Sequence, residues 1–345
     1  MKKILDTGDV YISIVITCYN YENYIESCIK SALAQSYKYR EIIVIDDGSN
    51  DNSWAVISRY SEKITAIKTD NQGFIKACLL GLERAAGTHI MFLDADDTLH
   101  PQALYKAVHF LKDADTAKVQ FMMQPIDGRG KPIGRPFPNL SHSATIEYFR
   151  TTINREGCYP TPPTSGNIYR RDIYERIGPI DYDYGIDGVA YLFAPYVGMV
   201  IHISEVLASY RIHGANMSSN KGMRPETFAR NAQVFLLRLQ HLQHLISADL
   251  KISEQLIIRD DYQYVISCRV YGDIAAGRRP QPKLLRDLWL SRPTGMSIRK
   301  NLLYGFFLAM IFFSPSMLAR KLVAFRLNPI NSPLLRTFLK KITRS

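Results

Sequence analysis

The stretch Thr88-His89-Ile90-Met91-Phe92-Leu93-Asp94-Ala95-Asp96-Asp97 decides how the chain folds. Ile90 to Leu93 is apolar and of strand length, and it runs straight into three carboxylates within four residues. Clustering and desolvating like charges is costly, so a buried strand that ends this way is expected to serve a ligand. In an open α/β sheet, ligands bind at the carboxyl ends of the strands. Asp94 and Asp96 are two residues apart, which in extended backbone puts both on one side. Such a pair suits a hard divalent cation, Mg2+ or Mn2+, and the cation would hold a diphosphate. The plainer explanation is helix capping ahead of Pro101, and Asp97 fits that better than the other two.

Upstream, three more segments share this layout. Val10 to Thr17 (VYISIVIT) is rich in β-branched residues and predicts a buried strand. After the loop Cys18 to Tyr21, Glu22 to Gln35 has apolar residues at helical spacing, among them Ile25, Cys28, Ile29 and Ala32. Glu41 to Ile45 predicts a second strand, ending in Asp46-Asp47-Gly48-Ser49, and Asp51 or Ser53 is expected to cap the next helix. Ile64 to Lys68 is a third strand, Asp70 to Gly73 a turn, and Phe74 to Ala86 a helix stopped by Gly87. The fold class is α/β: a Rossmann-like, mostly parallel sheet with helices on both faces. Its polar strand ends would line one edge.

Downstream, Pro101 starts a helix and Lys118 to Met123 predicts a fifth strand. Pro125 to Pro138 holds three Gly and four Pro and predicts a loop or irregular hairpin. Pro160 to Ser165 (PTPPTS) is a rigid extended connection, since proline fixes φ and restricts its predecessor. Met199 to Ile203 looks like a strand, Leu207 to Ile212 extended, and Val189 to Tyr196 helical. After Met223 strand signals stop and helical spacing takes over. The expected division is an α/β domain over residues 1–222 and a helical, basic region over 223–345.

Five cysteines, odd in number and without a Cys-x-x-Cys pair, argue against a disulfide framework or zinc site and for a reducing compartment. No apolar run of signal-peptide length follows Met1-Lys2-Lys3 before Asp6 and Asp9. The net charge of +11 is uneven: Arg278 to Ser345 holds fourteen Lys or Arg and one acid, Asp287, so this stretch carries +13 and the rest −2. That asymmetry implies an anionic partner surface.

Five ordered segments between residues 10 and 219 resemble family 2 glycosyltransferases with the GT-A fold: SIVITCYNYENYIESCIKSALAQSY, EIIVIDDGSNDNS, DNQGFIKACLLGLERAAGTHIMFLDADD, SGNIYRRDIYERIGPID and YRIHGANMS. DDGS or Asp-x-Asp alone is a weak signal; five in order are highly specific. The resemblance implies a nucleotide-sugar donor, UDP-linked by preference, and inversion at the anomeric carbon. It implies that Asp96 binds the metal bridging the diphosphate and that Asp94 contacts the ribose or a metal-bound water. Asp47 would accept the N3–H of a uracil or thymine ring, with Gly48 letting the backbone approach. Thr17, Tyr19 and Asn71 are carried over more weakly as nucleotide-pocket residues; simple packing explains Tyr19 nearly as well.

Asp187 is the candidate general base, which must be ionised and within reach of the acceptor hydroxyl. The family commonly has two adjacent acids here, whereas this chain has Ile186-Asp187, so Asp183 and Asp181 are rivals. In YRIHGANMS, His213 would ligate the metal, Arg211 would neutralise phosphate oxygens and Ser218 would hydrogen-bond the diphosphate. Thr164, Ser165 and Gly166 would lie beneath the acceptor. The Gln-x-x-Arg-Trp motif of processive members is absent, which implies single or few sugar additions.

Asn301 to Ala319 holds nineteen residues without a charge, flanked by Arg299-Lys300 and Arg320-Lys321. As one helix it would span about 28 Å, near the ~30 Å of a bilayer core, but Pro315 and its neighbouring serines weaken it as a span. An interfacial helix on anionic lipid is the favoured reading; a helix packed in a soluble domain or a homo-oligomer interface is the alternative. Nucleic acid is disfavoured, because the aromatics form an apolar block and do not interleave with the cations. The expected function is transfer of a sugar to an acceptor hydroxyl of a glycan or lipid-linked glycan. That places it in surface polysaccharide or lipopolysaccharide assembly, at the cytoplasmic face of a bacterial inner membrane. The alternatives are a nucleotide-sugar-binding protein without catalysis and a sugar nucleotidyltransferase. The latter is weakened by the lack of a Gly-rich, basic N-terminal loop.

Overall fold

The computed structural model describes residues 10–139, 145–213, 223–249, 256–292 and 296–327. Alternation along the first strand, β1 (Ile12–Cys18), sets up two covered faces. Ile12, Ile14 and Ile16 share one core with Ile25, Cys28 and Ile29 of α1 (Ile25–Leu33), and with α4 (Ala103–Leu111). Val15 faces the other side and meets α3 (Phe74–Arg84), where a Cβ on Gly81 would sit 2.3 Å from a Val15 methyl. Burial on both faces is why the strand reads as a continuous apolar run.

β2 (Arg40–Asp47) and β4 (His89–Asp94) flank β1 in parallel, and β3 (Thr65–Thr69) continues the parallel set beyond β2. Past β4 lie β7 (Asn167–Arg170), β6 (Thr116–Asp127), β8 (Met199–Ile212) and the two-residue β5 (Thr98–Leu99). The order is β3-β2-β1-β4-β7-β6-β8-β5. β7 is antiparallel to both neighbours, β8 is parallel to β6 and β5 antiparallel to β8, so an all-parallel half joins a mixed half. Thr17 pairs with Asp94 and Cys18 with Asp46, so β1, β2 and β4 end level along one edge.

Several elements differ from expectation. Met199–Ile203 and Leu207–Ile212 are one strand, because a register shift opposite Phe121 and Met122 absorbs the polar Ser204-Glu205. α3 ends at Arg84, before Gly87. Gly87 is instead needed for close approach, since a Cβ there would lie 2.6 Å from the Ser13 nitrogen. The apolar run 301–319 is not one helix. It breaks at Ser314-Pro315 into α11 (Ile298–Phe313) and α12 (Ser316–Leu327), with Ser314 extended (ψ 150°) as a residue before proline should be.

Two compact units emerge: residues 1–154, 158–212 and 240–256, and residues 155–157, 213–239 and 257–345. The second packs α9 (Gln263–Ala275), α10 (Pro282–Leu290), α11 and α12 around a core that includes Phe228, Val270, Ile274, Leu288, Leu308 and Val323.

Candidate active site

The first two loops of the level edge are knitted together before any ligand arrives. Tyr21 N–H donates to Ser53 Oγ (2.9 Å), Asn20 N–H to Ser49 Oγ (3.0 Å) and Asn50 N–H to Asn20 Oδ1 (2.8 Å). Gly48, at φ +73°, lies against the next loop, and a Cβ there would be 2.6 Å from the Asn71 nitrogen. Asp47 accepts N–H groups from Gln72 at Oδ1 (2.8 Å) and Gly73 at Oδ2 (2.9 Å), which fixes the loop after β3. Each of those oxygens has a second lone pair with which to accept a base N–H. Tyr19 and Asn71 are exposed and Thr17 is half-buried beside Asp94. Asp46 is fully buried, and neither of its carboxylate oxygens has a hydrogen-bond partner among the described residues.

The acids after β4 are held by their main chain. Asp94 N–H donates to Ser165 Oγ (3.0 Å), and Asp97 N–H donates to Asp94 O (3.0 Å). Arg211, buried on β8, donates its backbone N–H to Asp97 Oδ1 (2.8 Å) and its Nε–H to Asp96 O (2.8 Å). Its Nη1 reaches the carbonyls of Asp127 and Gly128 at 3.3 Å, and its guanidinium lies over the Tyr24 ring. Arg211 therefore clamps the backbone under the acids. Asp97 is fully buried and its pKa is raised well above the carboxylate range, by burial first and then by Asp96 and Asp94.

Asp94 is pushed up to about 8 by burial, then by the charges of Asp96 and Asp187. Asp187 is thus brought to the β4 acids from ninety residues away in sequence. It precedes α7 (Ala190–Val197), and its carbonyl accepts the Tyr191 N–H (3.0 Å). Asp183 is buried and its Oδ1 accepts the N–H groups of Tyr184 (2.6 Å) and Gly185 (2.9 Å), a turn-holding arrangement. Thr164–Gly166 forms a single 3-10 turn in which Ser165 is buried on Asp94 and Gly166 is packed against Pro162 and Met123. His213 follows β8 directly and belongs to the second unit, and Ser218 lies outside the described residues. Two neighbours went unnoticed in the sequence. Tyr21 has its pKa raised by burial and by Asp96 and Asp94. Lys118 is fully buried, which drives its pKa well below the ordinary lysine value against the opposing charge of Asp187. The available signal for Lys118 was two polar residues, Lys118 and Gln120, on one side of an apolar strand.

Among the described residues, no three His, Cys, Asp or Glu side chains converge to hold an ion by themselves. A carboxyl whose ionisation is disfavoured by burial and by its acidic neighbours fits a cation shared with substrate phosphates, the usual way Mg2+ is held.

The chain is 37% identical over 215 residues to an uncharacterized glycosyltransferase of Nostoc, covering 59% of this chain and 66% of the relative. It is 30% identical over 223 residues to one of Haemophilus influenzae, covering 60% and 67%. It thus spans about two thirds of these relatives' length. A shorter match, 37% over 112 residues, covers 31% of this chain and 43% of an Escherichia coli UDP-Glc:alpha-D-GlcNAc-diphosphoundecaprenol beta-1,3-glucosyltransferase. Among solved structures, S. aureus TarS 1-349 with UDP-GlcNAc superposes at a TM-score of 0.54 with 16% identity, covering 92% of this chain and 89% of that one. The mannosyltransferase of Pyrobaculum calidifontis with GDP-Man and Mn2+ gives 0.51 with 15% identity, covering 92% and 86%. The sequence pattern of glycosyl transferase family 2 matches residues 13–178, which hold the level strand ends and the acids after β4, and the chain belongs to that family.

Proposed function

We propose that this glycosyltransferase moves a sugar from a UDP-sugar to a hydroxyl of a lipid-linked glycan, with inversion and with Mn2+ or Mg2+. The observation that carries the reading is the convergence of the Asp94, Asp96 and Asp187 charges at the level ends of the parallel strands. Asp187 takes the acceptor proton as general base. Asp183 is left to its turn. Asp94 and Asp96 would hold the cation, which supplies Lewis-acid stabilisation of the leaving diphosphate. Asp47 and the Gly48–Asn71 contact shape the base pocket, with Thr17 and Tyr19 beside it. Arg211 keeps Asp96 and Asp97 in place. The UDP preference draws on the UDP-GlcNAc complex of the TarS fragment, and the lipid-linked acceptor on the E. coli relative's substrate.

The test is a thermal-shift screen of UDP-, GDP- and dTDP-sugars with and without Mn2+, followed by Asp187→Asn. A UDP-sugar should stabilise the protein only with metal, and the variant should retain that shift while UDP release falls by about 10²- to 10⁴-fold. No metal-dependent stabilisation by any nucleotide-sugar defeats the reading.

No helix among the described residues is long and apolar enough to cross a membrane. The attachment proposed is interfacial. Leu302, Phe306 and Phe313 of α11 and Met317 of α12 are exposed, while Tyr304, Leu308 and Ile311 face the core of the second unit. Arg299, Lys300, Arg320 and Lys321, all exposed, bracket that apolar stripe, the composition of a helix lying in an anionic headgroup layer. The protein should cosediment with phosphatidylglycerol vesicles and not with phosphatidylcholine vesicles, and Phe306→Ser with Phe313→Ser should abolish this. Dimerisation instead would assign the stripe to a second copy.

A further inference from the structure

β6 carries one lysine in its apolar run, Lys118, and the fold buries it completely. Its Nζ donates to Gln120 Oε1 (2.8 Å), Thr161 Oγ1 (2.8 Å) and Tyr159 OH (3.3 Å). Each of those groups directs its own proton elsewhere. Gln120 Nε2 donates to Pro160 O, Thr161 Oγ1 to Asn167 Oδ1, and the Tyr159 hydroxyl to Tyr191 O. Only the charged ammonium has three N–H groups for three acceptors. The rings of Tyr159, Tyr169 and Tyr191 surround it at 5.1, 5.3 and 5.8 Å, a favourable setting for a desolvated cation. Burial nevertheless drives Lys118 well below its ordinary pKa, and the charge that opposes this drift is Asp187.

The network reaches the reacting groups from two directions. Through Tyr159 it holds Tyr191, whose N–H holds the Asp187 carbonyl. Through Thr161 it holds Asn167, which donates to Pro162 O (3.2 Å) and Pro163 O (3.0 Å). That connection leads to Ser165, whose hydroxyl holds the Asp94 N–H. Asp94 on β4, Cys78 on α3, Tyr159, Tyr169 on β7 and Tyr174 on α6 (Arg171–Ile177) also feel the Asp187 charge.

We infer that Lys118 is a positioning residue: its buried ammonium, through three hydrogen bonds, holds the backbone of Asp187 by way of Tyr159 and Tyr191 and that of Asp94 by way of the 159–166 connection, with its charge in the field of Asp187. This rests on Asp187 being the base. It assigns Lys118 no contact with substrate, so donor binding should not depend on it.

The first test needs no substrate, so its failure is distinct from failure of the transferase reading. In protein labelled with 15N-lysine, the Lys118 Nζ, assigned by its loss in Lys118→Met, should resonate as an ammonium at pH 7. In Asp187→Asn it should move to the amine position. An Nζ that is neutral in the wild type, or unmoved by Asp187→Asn, overturns the inference. The second test is kinetic, with UDP-GlcNAc and Mn2+ and release of UDP as the readout. Lys118→Met should leave the donor KM within about twofold and lower kcat by about tenfold or more; an unchanged kcat, or a loss confined to KM, overturns it. If Lys118→Met does not fold, the wild-type and Asp187→Asn spectra decide the matter, with Lys118→Gln supplying the assignment.

Discussion

At the end of β2, both oxygens of Asp47 accept main-chain N–H groups, so the charge is balanced by the loop that it organises. At the end of β4, it is the backbone of Asp94 that is held, by Ser165, while its carboxyl is crowded by Asp96 and Asp187 and pushed up to about 8. Both strands are apolar runs that end in acids, two strands apart in one sheet. Asp47 is an internal fastening. After β4, burial and the charges of Asp96 and Asp187 disfavour ionisation of Asp94, a setting that the proposed cation would relieve.

The largest effect should come from removing the β4 carboxylate itself. Asp96→Ala should erase the Mn2+-dependent stabilisation by a UDP-sugar, which for a ligand at a hundred times its Kd is worth about 2.7 kcal/mol. If calorimetry or thermal shift finds that stabilisation intact, the contrast between the two strand ends is wrong. Asp47→Asn should act differently. An amide can accept at one of the two N–H groups only and leaves the other unsatisfied, at roughly 1–3 kcal/mol. Urea unfolding should show that loss without metal, and Mn2+ with a UDP-sugar should still stabilise the variant.

The smallest effect concerns pH. Asp94 is held at about 8 in the folded chain against an ordinary carboxylate value near 4. The folded state therefore keeps a proton that the unfolded state has lost, and metal-free stability falls as pH rises toward 8. His89, pushed down to about 4 by burial and then by Arg170, works the other way, with stability lost as pH falls from its ordinary 6.5. Between about pH 6.5 and 8 only Asp94 of these two contributes, and its partial exposure to solvent limits this to the order of 1 kcal/mol. Metal-free Asp94→Asn should gain on the wild type by roughly 2–4 °C in Tm across that window. A constant difference in Tm would mean that Asp94 is not crowded.

The strand ends were legible because burial on both faces forces apolar runs, and acids at the ends of such runs stand out. Asp187 was proposed only through the resemblance; that Asp183 closes a turn could be seen only in the structure. The Ser165 contact with Asp94 joins residues 71 apart and has no local signature. The continuity of β8 was hidden by Ser204-Glu205, whose polarity looks like a loop until a register shift accommodates it. Lys118 was visible as a polar residue in a strand, but its meaning depends on three tyrosines drawn from β7, α7 and the preceding connection.

The break at Ser314-Pro315 changes what the C-terminal apolar run means for traffic between water and membrane. Proline has no N–H to give, so the carbonyl of Ile311, four residues earlier, loses its helical partner, and in hydrocarbon no water replaces it. Two short helices joined by an extended residue can lie along a surface and come off again, whereas one uninterrupted rod inserted across it would stay. Were α11 and α12 to dock on lipid as proposed, Pro315 would set residence time: the enzyme would return to solution between visits and be supplied to its acceptors by lipid concentration and salt, not by permanent insertion.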